Sequence, residues 1–256
     1  MTPTAEAPLL RLDAVHKSFG GVRALAGVAC AIRPGQIVGI IGPNGAGKTT
    51  LFNVITGAYH ADSGDVHLDE HPITFWKPHE IARAGVARTF QNIRLFASMT
   101  VWEHLLVAQR HRESWARRFL PTRWVDPAAQ SRAQEVLGFF GLECARERPA
   151  RSLPYGMQRR VEMARALSSD PKLLLLDEPV AGMNAEEAEE VRSLLLRLRG
   201  TGITILLIEH DMTFVMNLCD YLYVLDFGAL IAQGTPSEIR SNPAVLNAYL
   251  GREDRA

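Results

Sequence analysis

Cysteine is scarce: Cys30, Cys144 and Cys219 are the only three in 256 residues, and they are scattered. With no CxxC and no Cys/His ligand spacing, no zinc site is expected; three reduced, buried thiols in a cytosolic protein are the expectation. Charge excess is also absent. Lys and Arg number 28 and Asp and Glu number 28, so the formal net charge is zero. Nucleic-acid binders carry a basic excess, so no nucleic-acid partner is expected. No apolar run reaches the roughly 18 residues that a membrane helix needs. The N-terminal MTPTAEAPLLRLD lacks the basic region and apolar core of a secretory signal. Repeats, low-complexity tracts and linkers are missing too. At 47% hydrophobic and 22% charged, the composition is that of an ordinary soluble globular domain.

What is present is an alternation of strand and helix patterns. LLRLDAV and GVACAI are short apolar or alternating runs near the N-terminus. IVGII, residues 37–41, is a continuous β-branched run, as expected of a buried parallel strand. From about Pro78 to Ser168 the pattern becomes helical. Thr100 to Glu103 is a capping-box sequence, and Asp126-Pro127 is an N-cap followed by Pro at the first helical position. Strand and helix then alternate again through KLLLLDEP, NAEEAEEVRSLLLRLRG, GITILLIEH, DMTFVMNLC, YLYVLD and ALIAQG. Thr235 with Glu238, and Asn242-Pro243, open two short terminal helices. The expectation is an α/β protein with a mostly parallel sheet, interrupted by a helical insert.

GPNGAGKT, Gly42 to Thr49, fits the phosphate-loop pattern G-x-x-x-x-G-K-[ST] and lies between a buried strand and a helix. Gly45 and Gly47 let successive N–H groups turn toward a phosphate. The helix that starts there adds its dipole. Lys48 reaches β- and γ-phosphates, and the Thr49 hydroxyl ligates Mg²⁺. Gly42, Pro43, Asn44, Gly45, Ala46, Gly47, Lys48, Thr49 and Thr50 are therefore the expected nucleotide-binding residues. LLLLDEP ends a buried strand in two carboxylates at the sheet edge where α/β sheets bind ligands. Asp177 can hold Mg²⁺ through water, and Glu178 can accept a proton from the attacking water.

With those two motifs on the page, the chain resembles the ATP-binding-cassette (ABC) ATPases. That resemblance implies a P-loop NTPase fold with a RecA-like core, an antiparallel β subdomain and an inserted helical subdomain. It implies a core of about 1–90 and 170–235, a helical subdomain of about 91–169, and short terminal helices at 236–256. Gln91, in ARTFQNIRLF, looks like the glutamine that contacts Mg²⁺ and senses the membrane partner. His210, in LLIEHDM, looks like the switch histidine at the γ-phosphate. Phe19 stands at the aromatic position that stacks on adenine; a buried strand aromatic is the competing role. SLPYGMQ falls where the family writes LSGGQ, the signature that contacts ATP bound to the other subunit. Leu153 and Gly156 match, while Pro154, Tyr155 and Met157 depart from it, leaving main-chain donors to serve the anion. Asn184 replaces the usual Asp of the D-loop and also suits a helix N-cap.

The resemblance is narrower still. The PYG signature, QRRVEMARAL, DEPVAGMN and the ending GTPSEIRSNPAVLNAYLG are similar to the LivG-type ATPase of branched-chain amino acid importers. This implies ATP and Mg²⁺, a second ATPase of LivF type, two transmembrane permease subunits and, indirectly, a periplasmic substrate-binding protein. It places the chain peripherally on the cytoplasmic face of the inner membrane, and leaves open whether isolated copies pair as a homodimer. The basic, Trp-bearing stretch Arg110 to Trp124 is either a membrane-facing element or a solvated helix end and loop. Urea import and lipopolysaccharide export use similar ATPases. A DNA-repair or translation ATPase would need tandem cassettes or a long heptad run, and neither is present.

Overall fold

The computed structural model describes residues 7–109 and 126–250. The stretch Arg110 to Trp124 lies outside the described residues. Strands β1 (Leu10–Phe19) and β2 (Val22–Ile32) form a hairpin across Gly20-Gly21. Both turn residues have positive φ, +50° and +88°, which glycine adopts without a Cβ clash. β3 (Ile37–Ile41) then runs into the glycine-rich loop and helix α1 (Lys48–Ile55). β4 (Ser63–Leu68) and β5 (His71–Pro72) complete an antiparallel sheet of order β2-β1-β4-β5.

Helix α2 (Pro78–Arg83) leads to a three-residue strand, β6 (Val86–Arg88). This strand corrects the sequence expectation, which made the whole stretch after Pro78 helical. Three residues cannot display a period, and β6 exists because β7 pairs with it. Helices α3 (Val101–Gln109), α4 (Pro127–Phe139) and α5 (Tyr155–Ser168) follow. The expected caps are there. Thr100 N–H donates to Glu103 at 2.8 Å while Glu103 N–H donates to the Thr100 hydroxyl at 3.1 Å. Asp126 accepts the Ala128 N–H at 3.0 Å.

The chain then alternates: β7 (Leu173–Asp177), α6 (Ala185–Gly200), β8 (Thr204–Ile208), α7 (Met212–Leu218), β9 (Tyr221–Asp226), β10 (Ala229–Gly234). Short helices α8 (Pro236–Arg240) and α9 (Pro243–Leu250) close it. The second sheet has the order β10-β9-β3-β8-β7-β6, parallel except for the antiparallel edge strand β10. β3 is thus central, with β8 and β9 on either side.

Every residue of β3, β7 and β8 is buried, because both sheet faces are covered. The alternation of side chains divides them. Ile37, Ile41, Leu174, Leu176, Ile205 and Leu207 pack with the helices α3 to α7. Val38, Ile40, Leu173, Leu175, Leu206 and Ile208 pack on α1 and the antiparallel sheet. Two cysteines behave as expected: burial pushes the Cys30 thiol up to about 12 and raises Cys219 also. Cys144 does not. It sits exposed in a short 3₁₀ turn, Glu143–Ala145, after α4, where no core face demands a side chain.

Candidate nucleotide site

The loop after β3 is shaped by glycines in conformations other residues avoid. Gly42 has φ +147°, and a Cβ there would meet the Leu225 carbonyl at 2.0 Å. Gly47 has φ +103°, with the Ala24 carbonyl 2.4 Å from where a Cβ would be. Gly45 has φ +79° and open space on its Cβ side. The first two glycines let the loop pass against the neighbouring main chain; the third leaves room on the outside. Ala46 anchors the loop: its N–H donates to Pro43 O at 3.1 Å and its O accepts Gly228 N–H at 2.9 Å. Asn44 and Thr49 are exposed and Thr50 is half-buried. Lys48 is buried and folds its ammonium onto the carbonyls of Gly42 and Pro43, at 2.6 and 3.0 Å. The first turn of α1, which starts at Lys48, faces the loop with the N-terminal donors of a helix.

Phe19 ends β1 on the surface, 42% exposed, which removes the buried-aromatic role weighed for it. Its ring meets Tyr59 edge-on at 5.1 Å, and Lys17 Nζ lies 5.4 Å from its centroid. The Phe19 ring is thus partly exposed between Tyr59 and Lys17.

The carboxylates stand at the end of β7. Asp177 is buried, and its Oδ2 is 3.0 Å from the Arg88 guanidinium, itself only 9% exposed in its side chain. Arg88 also donates to Asn53 Oδ1 at 2.7 Å, so it ties α1 to the strand end. The sequence did not single out Arg88, because its carboxylate partner is 89 positions away. Glu178 has φ +48°, a left-handed conformation that costs a non-glycine residue about 1 kcal/mol or more. The bond from Glu178 N–H to Ile208 O at 2.9 Å and that from Ala181 N–H to Glu178 O at 3.2 Å hold it there. Its carboxylate accepts the Gln91 side-chain amide at 2.9 Å. His210 Nδ1 lies 3.8 Å from the other Glu178 oxygen and 3.6 Å from Glu209. The structure thus brings Gln91, Glu178 and His210 together, from the loop after β6, the end of β7 and the end of β8.

Glu209 is fully buried beneath His210 and was not anticipated. Burial pushes its carboxyl above the usual carboxylate range, opposed by N–H donors from Val180, His210 and Asp211. It fixes the turn that carries His210.

The segment Leu153 to Met157 forms the start of α5. Leu153 is buried; Pro154 is the N-cap and exposed. Tyr155 is 47% exposed, and its hydroxyl donates to Ala181 O at 3.2 Å. Gly156 lies close to Glu187: a Cβ would come 3.3 Å from its carboxylate. Met157 packs against the helical core. Asn184 caps α6 through reciprocal 3.0 Å bonds with Glu187.

The donor set suits a divalent magnesium ion brought in by a nucleotide. Thr49, Asp177 and Gln91 offer hard oxygens. Among the described residues no cluster of three or more His, Cys, Asp or Glu forms a cage that would hold a metal by protein groups alone.

The chain is similar to known proteins along nearly its whole length. Residues 25–181 match the family model described as ABC transporter, and residues 229–255 match that of the branched-chain amino acid ATP-binding cassette transporter. The chain is 44% identical over 253 residues to the Pseudomonas aeruginosa high-affinity branched-chain amino acid transport ATP-binding protein BraF. That similarity spans 95% of this chain and 98% of the relative. It is 45% identical over 251 residues to Escherichia coli LivG of the same description, again over 95% and 98%. Among solved structures, the ADP conformation of MJ1267, an ATP-binding cassette of an ABC transporter, superposes with a TM-score of 0.85. Identity is 37%, covering 95% of this chain and 99% of that one.

Proposed function

The chain belongs to the ABC transporter family of ATP-binding proteins, and from that premise we propose that it hydrolyses ATP to drive a membrane importer of branched-chain or related hydrophobic amino acids. The solute class rests on full-length similarity to relatives named for that transport and on the C-terminal match at 229–255. The hydrolytic role rests on one observation above all. Gln91 and His210 converge on Glu178, at the end of a strand in the sheet whose central strand opens into the glycine loop.

The division of labour follows from the side chains. Phe19 offers its face to adenine. The loop Gly42 to Gly47, with Thr50 in the first turn of α1, wraps the phosphates. Lys48 exchanges its loop carbonyls for β- and γ-phosphate oxygens. Thr49, Gln91 and Asp177 would hold Mg²⁺, which neutralises charge on the phosphate oxygens. Arg88 holds the Asp177 carboxylate in place through its 3.0 Å contact. Glu178 takes a proton from water as the water oxygen bonds to the γ-phosphorus and the bond to ADP breaks. His210 and Gln91 orient that water. Gln91 must exchange its bond to Glu178 for nucleotide contacts, so the base is released only when the site fills.

The remaining assignments complete the machine. Residues of about 1–90 and 170–235 form the core, about 91–169 the helical subdomain, and 236–256 the terminal helices. Leu153 to Met157 meets the nucleotide of a second ATPase subunit of LivF type, and Asn184 lies at that same junction. Two permease subunits receive the motion, and a periplasmic binding protein selects the solute. No helix among the described residues is long and apolar enough to cross a membrane, which suits a peripheral cytoplasmic subunit.

Glu178→Gln removes the proton acceptor and keeps the shape. Steady-state ATPase of the purified assembly falls by at least about 100-fold, while ATP affinity stays within about threefold. Turnover near wild type would refute the role given to Glu178.

A further inference from the structure

Helix α5 grips the loop that carries Gln91 by its main chain. Arg159 donates to Phe90 O at 2.6 Å and to Gln91 O. Glu162 Oε1 accepts the N–H groups of Phe90 and Arg94 at 3.4 and 3.3 Å. Arg165 donates to Arg94 O. Arg159 and Glu162 also pair with each other at 3.0 Å, with side chains only 2% and 0% exposed. The same guanidinium reaches the Tyr155 hydroxyl at 3.4 Å, and that hydroxyl donates to Ala181 O in the turn between Glu178 and Asn184.

A buried ion pair is a poor source of stability. Its desolvation cost roughly cancels its attraction, and apolar side chains of similar size would pack a helix as well. What such a pair supplies is geometry. A guanidinium is a planar fork that bonds specific carbonyls in fixed directions. Among the described residues, the side-chain hydrogen bonds of the pair beyond the pair itself go to the Gln91 loop or to Tyr155.

We infer that Arg159 and Glu162 are positioning residues that make the 90–94 loop and α5 move as one body. Arg159 further links this body, through Tyr155, to the segment leading to Asn184. A displacement of Gln91 toward nucleotide is then transmitted to Leu153–Met157, the surface offered to the partner's ATP. The unusual Tyr155 acquires a role: its hydroxyl joins the signature to the turn after Glu178. The direction of this signal rests on the proposed function, whereas the grip itself does not.

The test replaces the pair by apolar residues of similar volume, Arg159→Met with Glu162→Leu, in the purified assembly. The melting temperature falls by several degrees, because Phe90 O, Gln91 O and the N–H groups of Phe90 and Arg94 lose their partners, so the other readings are taken well below it. Amide hydrogen exchange across 90–94 becomes at least about tenfold faster. In the wild type, a slowly hydrolysed ATP analogue changes exchange in both 90–94 and 153–157; in the variant only 90–94 responds. Turnover falls by about tenfold or more with ATP affinity within about twofold. Tyr155→Phe, which removes only the hydroxyl, lowers turnover by less and leaves exchange at 90–94 unchanged. Unaltered exchange at 90–94 in the double variant overturns the grip. A surviving response at 153–157, or turnover within twofold of wild type, overturns the coupling. If the double variant does not fold, Arg159→Lys, which keeps the charge and loses the fork, is read by the same exchange criteria. Wild-type assembly without ATPase activity would refute the proposed function, while the exchange comparison would still decide the grip.

Discussion

Glu178 combines a left-handed backbone with a carboxylate already bonded to Gln91. The chain accepts local strain there, held by the main-chain bonds to Ile208 and Ala181. Around it, residues differ in how far the sequence announced them. The glycine loop was legible because its conformation is dictated locally by Gly42, Gly45 and Gly47. Arg88 was not, because only the fold sets it against Asp177. Removing one half of a buried pair strands the other, so Arg88→Met lowers unfolding stability by about 3 kcal/mol in urea titration. A loss below about 1 kcal/mol would mean that Asp177 does not depend on Arg88. Met157 stands where the family writes Gln, yet it packs inward on the helical core. Met157→Gln therefore changes the assembly's ATPase by less than about threefold; a tenfold gain, about 1.4 kcal/mol in barrier, would mark the Met as a handicap.

Elements divide along the same line. Those with strong local signals were predicted where they stand: β3 from its β-branched run, α3 and α4 from their caps. β6 was missed because its three residues are a strand only by pairing with β7. Helix α5 was legible as a helix, and the Arg159–Glu162 spacing was visible as i,i+3. Their burial against the Gln91 loop was not, since opposite charges three apart more often lie on a solvated face. For α6, Asn184 serves as a full capping box with Glu187. Asn184→Ala costs about 1 kcal/mol of stability, measured by denaturant unfolding of the isolated chain. Asn184→Asp, which restores the family's usual residue, keeps that stability because Asp caps equally well.

At the scale of the molecule, two sheets and a helical layer share one arrangement: the parallel sheet delivers the glycine loop, Asp177-Glu178 and His210 to one edge. That placement follows from topology, which alternating strand and helix patterns already implied. The partner-facing role proposed for Leu153 to Met157 is less local, since it would depend on a second subunit's nucleotide. The central claim is that ATP hydrolysis at Glu178 powers amino acid import. Its most direct test is uptake of radiolabelled leucine by cells that lack this chain and carry the rest of the transporter. Wild-type chain restores uptake, and Glu178→Gln, expressed to the same level, leaves it at the level of the deletion. Restoration of uptake by Glu178→Gln, or uptake unaffected by the deletion, would contradict the account.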